Sequence, residues 1–220
     1  MRAIRRLRVI ADLVSDENGI VADVGADHGF LAKMLIDEKK AKYVITTDIS
    51  APSLEKTVNL IKKYNLEDFI ETRVGDGLKP ILKENIDTVI IAGMGGYEII
   101  KILQENTNKN INEYILQPVQ NTIELRKFLN DNNYWIFKDF VVEDKNKFYS
   151  TIVVKKLDKK QVLTKEEIEF GLTNFDLKSD EFYNYLKNIE LKLDSILNEK
   201  NAKIINTKLK NVRKILKKLF

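Results

Sequence analysis

Cysteine is absent from this 220-residue sequence. Disulfides, thiolate zinc sites, iron–sulfur clusters and a cysteine nucleophile are therefore excluded, and no metal site is expected. Long apolar runs are missing too. No stretch approaches the roughly 18 consecutive apolar residues that a membrane helix needs, so no membrane partner is expected. The N-terminus, Met1 to Arg8, is basic, but it runs into Ile10-Ala11-Asp12 without the apolar core and small-residue cleavage site of a secretion signal. A cytoplasmic, monomeric protein is the expectation.

A net excess of one sign is small, with 37 basic against 33 acidic residues and a formal charge of +4. Its distribution is less even. The first eleven residues carry Arg2, Arg5, Arg6 and Arg8 without an acid. The last twenty carry Lys203, Lys208, Lys210, Arg213, Lys214, Lys217 and Lys218, again without an acid. Such ends suit a polyanion partner. They equally suit two solvated helix faces in a lysine-rich protein.

Between about residues 20 and 156, short β-branched runs alternate with helical patterns, as in a doubly wound α/β sheet. Parallel strands are predicted at Ile20 to Val24, Tyr43 to Thr47, Phe69 to Val74, Thr88 to Ala92 and Tyr114 to Leu116. Helices are predicted near 29–38, 52–64, 96–105 and 122–130. Trp135 to Val142 and Phe148 to Val154 then follow each other across Glu143 to Lys147, which predicts an antiparallel hairpin. Leu7, Ile10, Ala11, Leu13 and Val14 place a basic amphipathic helix before the first strand. After Leu157 the strands end. Phe182, Leu186, Ile189, Leu193, Ile196 and Leu197 recur at helical spacing, and Ile204 to Leu219 repeat the pattern after a break at Asn198 to Asn201. These two segments predict an antiparallel helical hairpin of coiled-coil type. The expected division is residues 1–157 and 158–220.

Chemistry concentrates where strands end. Ile20 to Val24 leads into Gly25-Ala26-Asp27-His28-Gly29 and then a helix, the setting of a nucleotide-binding turn. Asp48 closes the second strand, 23 residues after Gly25, with Ile49 beside it, placed to accept both hydroxyls of a ribose. A dinucleotide site wants a glycine where Asp27 stands, because backbone amides there cradle a pyrophosphate. A carboxylate repels that group. Asp27, with Asp23 at the strand end, suits instead the ammonium and sulfonium of S-adenosylmethionine. Asp27 also reads as a helix N-cap, and His28 as either a loop residue or a contact. Asp76, in Gly75-Asp76-Gly77-Leu78, is the candidate for the adenine amino group, although the same tripeptide makes a good β-turn.

On the acceptor side, the fourth strand ends in Ala92-Gly93-Met94-Gly95-Gly96. Glycines there allow close approach to a planar ring and leave backbone groups as its hydrogen-bonding edge; packing is the alternative reading. Ala92, Gly93 and Met94 are assigned to the cofactor, and the Gly93-Met94-Gly95-Gly96 loop to the base pocket, with Gly95 and Gly96 as its acceptor contacts.

The run Ala22 to His28, with Ile91 to Gly96, Leu116-Gln117-Pro118, Leu125 to Leu129 and Phe148-Tyr149, resembles the bacterial tRNA (adenine-22-N1)-methyltransferase family. The resemblance is strong over residues 1–156 and one of kind in the C-terminal hairpin. Where the family carries a serine and an alanine around the Asp-His pair, this chain has Ala26 and Gly29. The resemblance implies a Rossmann-like catalytic domain, a coiled-coil domain that helps hold tRNA, and S-adenosylmethionine as methyl donor. With it come expected roles. Gln117 and Pro118 line the base pocket with Gly95 and Gly96; Asp27 stabilises the cationic methylated adenine; and Arg5, Arg6, Lys210, Arg213 and Lys214 grip phosphates. A methyltransferase acting on another acceptor, a nicotinamide oxidoreductase and a non-catalytic RNA-binding adaptor remain alternatives. Thermal shift separates the cofactors: S-adenosylmethionine is expected to raise the melting temperature and NAD to leave it unchanged. The reverse result would exclude the methyl-transfer reading.

Overall fold

The structure of the protein, a computed structural model, describes residues 5–15, 17, 19–26, 28–198 and 202–220. Seven strands run β1 (Ile20–Val24), β2 (Tyr43–Asp48), β3 (Ile70–Val74), β4 (Ile86–Ala92), β5 (Ile111–Gln117), β6 (Tyr134–Asp144) and β7 (Lys147–Lys156). The helices are α1 (Arg5–Leu13), α2 (Phe30–Asp37), α3 (Ala51–Tyr64), α4 (Gly96–Glu105), α5 (Thr122–Asp131), α6 (Lys165–Phe170), α7 (Asn174–Leu177), α8 (Asp180–Ile196) and α9 (Ala202–Leu219). All strands join one sheet of order β3-β2-β1-β4-β5-β7-β6. β1 to β5 are parallel, and β7 pairs antiparallel with β5 and β6. This is the Rossmann-like arrangement predicted.

Alternation along each strand sends residues to two apolar layers. Val21, Val44, Ile90, Ile115 and Val153 face α1 and α2 through Ile10, Ala11, Leu31 and Leu35. Val24, Val89, Ile91, Leu116 and Ile152 face α4 and α5 through Ile99, Ile102, Leu125 and Leu129. β5 begins three residues before its predicted start, because Asn112 and Glu113 break the apolar run; Glu113 is nevertheless buried beside the Ser15 hydroxyl and Lys155. The β6–β7 connection is tighter than the five residues predicted. Lys145 and Asn146 turn the chain alone, both at positive φ (51° and 60°), the hairpin geometry that matches strand twist.

α8 and α9 form the expected antiparallel hairpin. The Phe220 ring lies on Phe182 and Tyr183, while Arg213 bridges to Glu190 (2.7 Å) and Asp194 (2.8 Å). α6 and α7, too short to show a periodicity, cover the outer edge of β6. Edge strands carry unpaired amides that must be blocked or paired. Here side chains do the pairing: Gln161 exchanges two hydrogen bonds with the backbone of Ile136, the Asp139 amide donates to Thr173 Oγ1, and the Val141 amide donates to Asn174 Oδ1.

Arg126 fastens this cover to the sheet. Its side chain is 1 % exposed and Asp139's is 0 %. Nε and Nη2 grip Asp139 in a fork (2.7 and 2.9 Å), Nη2 also donates to Ser150, and Nη1 donates to the carbonyls of Ile168 and Glu169. Arg126→Met would strand a buried carboxylate, so a stability loss of about 3–5 kcal/mol is expected in denaturant titration. The double substitution with Asp139→Leu is expected to regain part of that loss. A double variant less stable than the single one would contradict this account.

Candidate active site

Strand order reverses between β1 and β4, whose neighbours depart to opposite sides and open a crevice beyond the carboxyl ends of the strands. Gly25 makes the turn possible. At φ 76° it lets its own amide (2.7 Å) and that of Ala26 (3.1 Å) donate to the Thr47 carbonyl, folding the chain over the end of β2. A side chain there would run into the methyl of Met94. His28 (φ 73°) and Gly29 (φ 67°) complete the turn into α2, and the His28 ring stacks on Phe30 at 5.5 Å. Asp27, assigned both cofactor and catalytic tasks from sequence, lies outside the described residues.

The crevice contains a cleft of about 250 Å³. It brings together Gly25, Asp48, Ile49, Asp76, Gly77 and Met94, as the sequence predicts. Glu98, Lys101 and Ile102 of α4 complete its wall. Sequence reasoning missed these three, although their helical spacing after the glycine loop puts them on one face. Asp48 is held in place by the Ser50 amide, which donates to Oδ1 at 2.7 Å. Asp76 pairs with Lys79 at 2.6 Å, which holds its carboxyl below the usual range and keeps it a hydrogen-bond acceptor. Ile49 is 72 % exposed at the lip, as an apolar wall awaiting a ligand would be.

Asp23 stands on the other side of the glycine turn, 7 % exposed, with no ion pair or hydrogen bond to its carboxyl among the described residues. Burial alone pushes its carboxyl up to about 7. A buried carboxylate without a counter-ion fits a cationic ligand, and the Asp48 carboxylate at the end of the neighbouring strand suits the hydroxyls of a nucleoside. The residues present therefore suit S-adenosylmethionine.

On the acceptor side Gly93 (φ 89°) has open space where a side chain would stand, and its amide donates to the Gln117 carbonyl. Several predicted contacts are corrected. Gly96 is buried against the Asn121 backbone, so its missing side chain serves packing between two loops. Gln117 and Pro118 are buried as well; Gln117 donates to Thr151 Oγ1 (2.9 Å) and accepts from Arg6, so neither offers a side chain to a base. Gly95 lies against the Gln120 side chain, while Ala92 is partly exposed. Of the predicted phosphate grips, Arg5 pairs with Glu181, Arg6 points inward, Arg213 staples α8 to α9, and Lys214 lies 3.9 Å from Glu166. Lys210 is exposed with no ion pair among the described residues.

A family model for the TrmK family, tRNA (adenine(22)-N(1))-methyltransferase, matches residues 21–219. The chain belongs to this family. A putative tRNA methyltransferase of Mycoplasma genitalium is 36% identical over 176 residues, covering 78% of this chain and 79% of its own. Two solved structures share the fold over almost the whole length. A putative tRNA (m1A22) methyltransferase of Streptococcus pneumoniae, in complex with S-adenosyl-L-methionine, superposes with a TM-score of 0.89 at 26% identity, covering 96% of this chain and 98% of its own. M. capricolum TrmK, in complex with S-adenosyl-homocysteine, gives 0.85 at 28% identity and covers 98% of both. Among the described residues no group of acids and histidines could hold a metal ion, and no helix is long and apolar enough to cross a membrane.

Asp23 yields a test with a definite sign. Its raised carboxyl keeps a proton in the fold that the unfolded chain releases near 3.8, so folding stability falls as pH rises from about 4 to 7 and stays lowered above. Asp23→Asn is expected to melt higher than wild type at pH 8, with the gain vanishing towards pH 4. In calorimetry the same variant is expected to bind S-adenosylmethionine more weakly and without the tightening through pH 7 expected of the wild type. Identical pH profiles for the two proteins would remove Asp23 from the site.

Proposed function

We propose that this cleft performs the family's reaction through named residues of this chain: transfer of a methyl group to N1 of adenine 22 in the D-arm region of tRNA, giving 1-methyladenosine. The observation that carries the residue assignment is the buried, cation-free Asp23 next to a glycine turn at the strand-order switch. Bound S-adenosylmethionine supplies an electrophilic methyl group. Asp23 holds the ammonium of its methionine end. Asp48, fixed by the Ser50 amide, accepts from the ribose hydroxyls, and Asp76 accepts from the adenine amino group of the cofactor.

Catalysis then comes chiefly from alignment of nucleophile and methyl carbon, with no covalent enzyme intermediate. N1 of a paired adenine is blocked, so the target nucleotide must be turned out of the stack. The open space over Gly93 admits a planar ring. Methylation leaves that ring cationic, and Asp27 is the carboxylate proposed to stabilise it. Residues 158–220 are proposed to act as a coiled-coil tRNA-holding unit through exposed lysines of α9, Lys210 among them, with the chain working as a monomer in the cytoplasm.

The deciding experiment incubates the protein with labelled S-adenosylmethionine and unmodified tRNA, followed by nuclease digestion and nucleoside mapping. One 1-methyladenosine at position 22 is the expected product, with tRNA affinity falling steeply as salt rises. Label at another position, or none, would refute the reading.

A further inference from the structure

Tyr149 belongs to none of the three apolar clusters among the described residues, unlike its neighbour Phe148, which turns to the opposite face and packs on Tyr185. Its ring is partly exposed, with the Arg6 guanidinium 5.2 Å from its centroid. Arg6 does not reach into solvent to do this. Its Nη1 donates to Gln117 Oε1 at 3.3 Å, and Gln117, fully buried, donates in turn to Thr151 Oγ1 at 2.9 Å. Thr151 stands two residues from Tyr149 on the same strand face. Three residues, Arg6 of α1, Gln117 of β5 and Thr151 of β7, thus orient one phenol ring that lies outside the apolar clusters.

The register places this ring with the cofactor machinery. Asp23 pairs with Ile90, Ala92 with Gln117, and Ile115 with Val153. Alternation therefore puts Asp23, Ala92, Gln117, Thr151 and Tyr149 on one face of the sheet. Because β7 runs antiparallel to β5, Tyr149 lies beyond the carboxyl end of β5, at the end of the sheet where the cleft opens. From β1 to β7 is three strand spacings, roughly 14–15 Å. Asp23 bounds that span at the cofactor side and Tyr149 at the acceptor side, with the small Ala92 and the open Gly93 between them.

We propose that Tyr149, held by Arg6, is the platform on which the turned-out adenine stacks. The proposal rests on the methyl-transfer reading above and names the residue that positions its acceptor. Stacking on an aromatic ring replaces the contacts that a base loses when it leaves the helix, and the Arg6 guanidinium over one face of the ring leaves the other face for the base. It also suits the reaction. N1 lies on the edge of adenine, so a ring held by its face keeps that edge free for the methyl group. Tyr149 is a positioning residue in this account, and its hydroxyl takes no part.

The test combines Tyr149→Ala and Tyr149→Phe with a tRNA carrying 2-aminopurine, whose emission is quenched by stacking, at position 22. Tyr149→Ala is expected to lower kcat/KM for tRNA by roughly 5- to 150-fold, the range of one lost base–aromatic stack. Tyr149→Phe is expected to retain wild-type turnover. S-adenosylmethionine affinity stays unchanged in both. The 2-aminopurine complex of the Ala variant should be brighter than those of wild type and the Phe variant. Equal brightness in all three complexes, a Phe variant as impaired as Ala, or a loss of cofactor affinity matching the loss of turnover would each overturn the proposal. The two readings fail separately: a wild type that forms no 1-methyladenosine sinks both, whereas a Tyr149→Ala variant as active as wild type sinks only this one.

Discussion

The forked pair between Arg126 and Asp139 joins α5, the β6–β7 hairpin and α6 beyond the parallel sheet. Both side chains are buried, and an isolated charge in that position would be strongly unfavourable. The guanidinium answers with five donor contacts that tie α5 to β6, to Ser150 of β7 and to the end of α6. Gly171 follows α6 at φ 96°, and a side chain there would meet both Asp139 and Asn174. The small elements after the hairpin are thereby locked to the edge of β6, and α8 is delivered onto Val141 and Phe148. The helical hairpin depends on a polar interaction buried far from its own tip.

The same anchoring shapes the catalytic end. β6 and β7 cannot shift relative to α5 without breaking the Arg126 contacts to Asp139 and Ser150, and the β5–β7 pairing holds β7 to β5. Tyr149 and Thr151 are therefore fixed relative to Gln117, and Gln117 relative to Gly93. On the other side of the switch point, Gly25 and Thr47 set the turn that separates the ribose cleft from Asp23. Two sets of side chains thus flank the switch point: Asp23 and Asp48 at the ends of β1 and β2, proposed for the cofactor, and Tyr149 of β7, proposed for the substrate.

Burying Asp23 with no partner among the described residues lowers the stability of the fold, and the left-handed conformation of His28 adds local strain. Both features concentrate at the point where a cationic ligand would bind. Local cost at this site, set against dense satisfaction of polar groups around Arg126, is the division expected of a preorganised enzyme.

Much of this was legible in the chain itself. The alternation of β-branched runs with helical patterns determined the element order, because backbone geometry imposes periods of two and 3.6 on whatever must be buried. Gly25, Asp48 and Asp76 were readable because turn conformation and carboxylate chemistry are local properties of residues close to strand ends. Other features required contacts between residues far apart in sequence. Gln117 reads as a pocket-lining amide until Thr151 and Arg6 enclose it; Arg213 reads as a phosphate grip until Glu190 and Asp194 claim it; Gly96 reads as an open glycine until Asn121 closes on it. The burial that isolates Asp23 and the register that carries Tyr149 to the acceptor side are likewise decisions of the tertiary structure, since only the packed sheet determines which side chains lose water and which partners replace it.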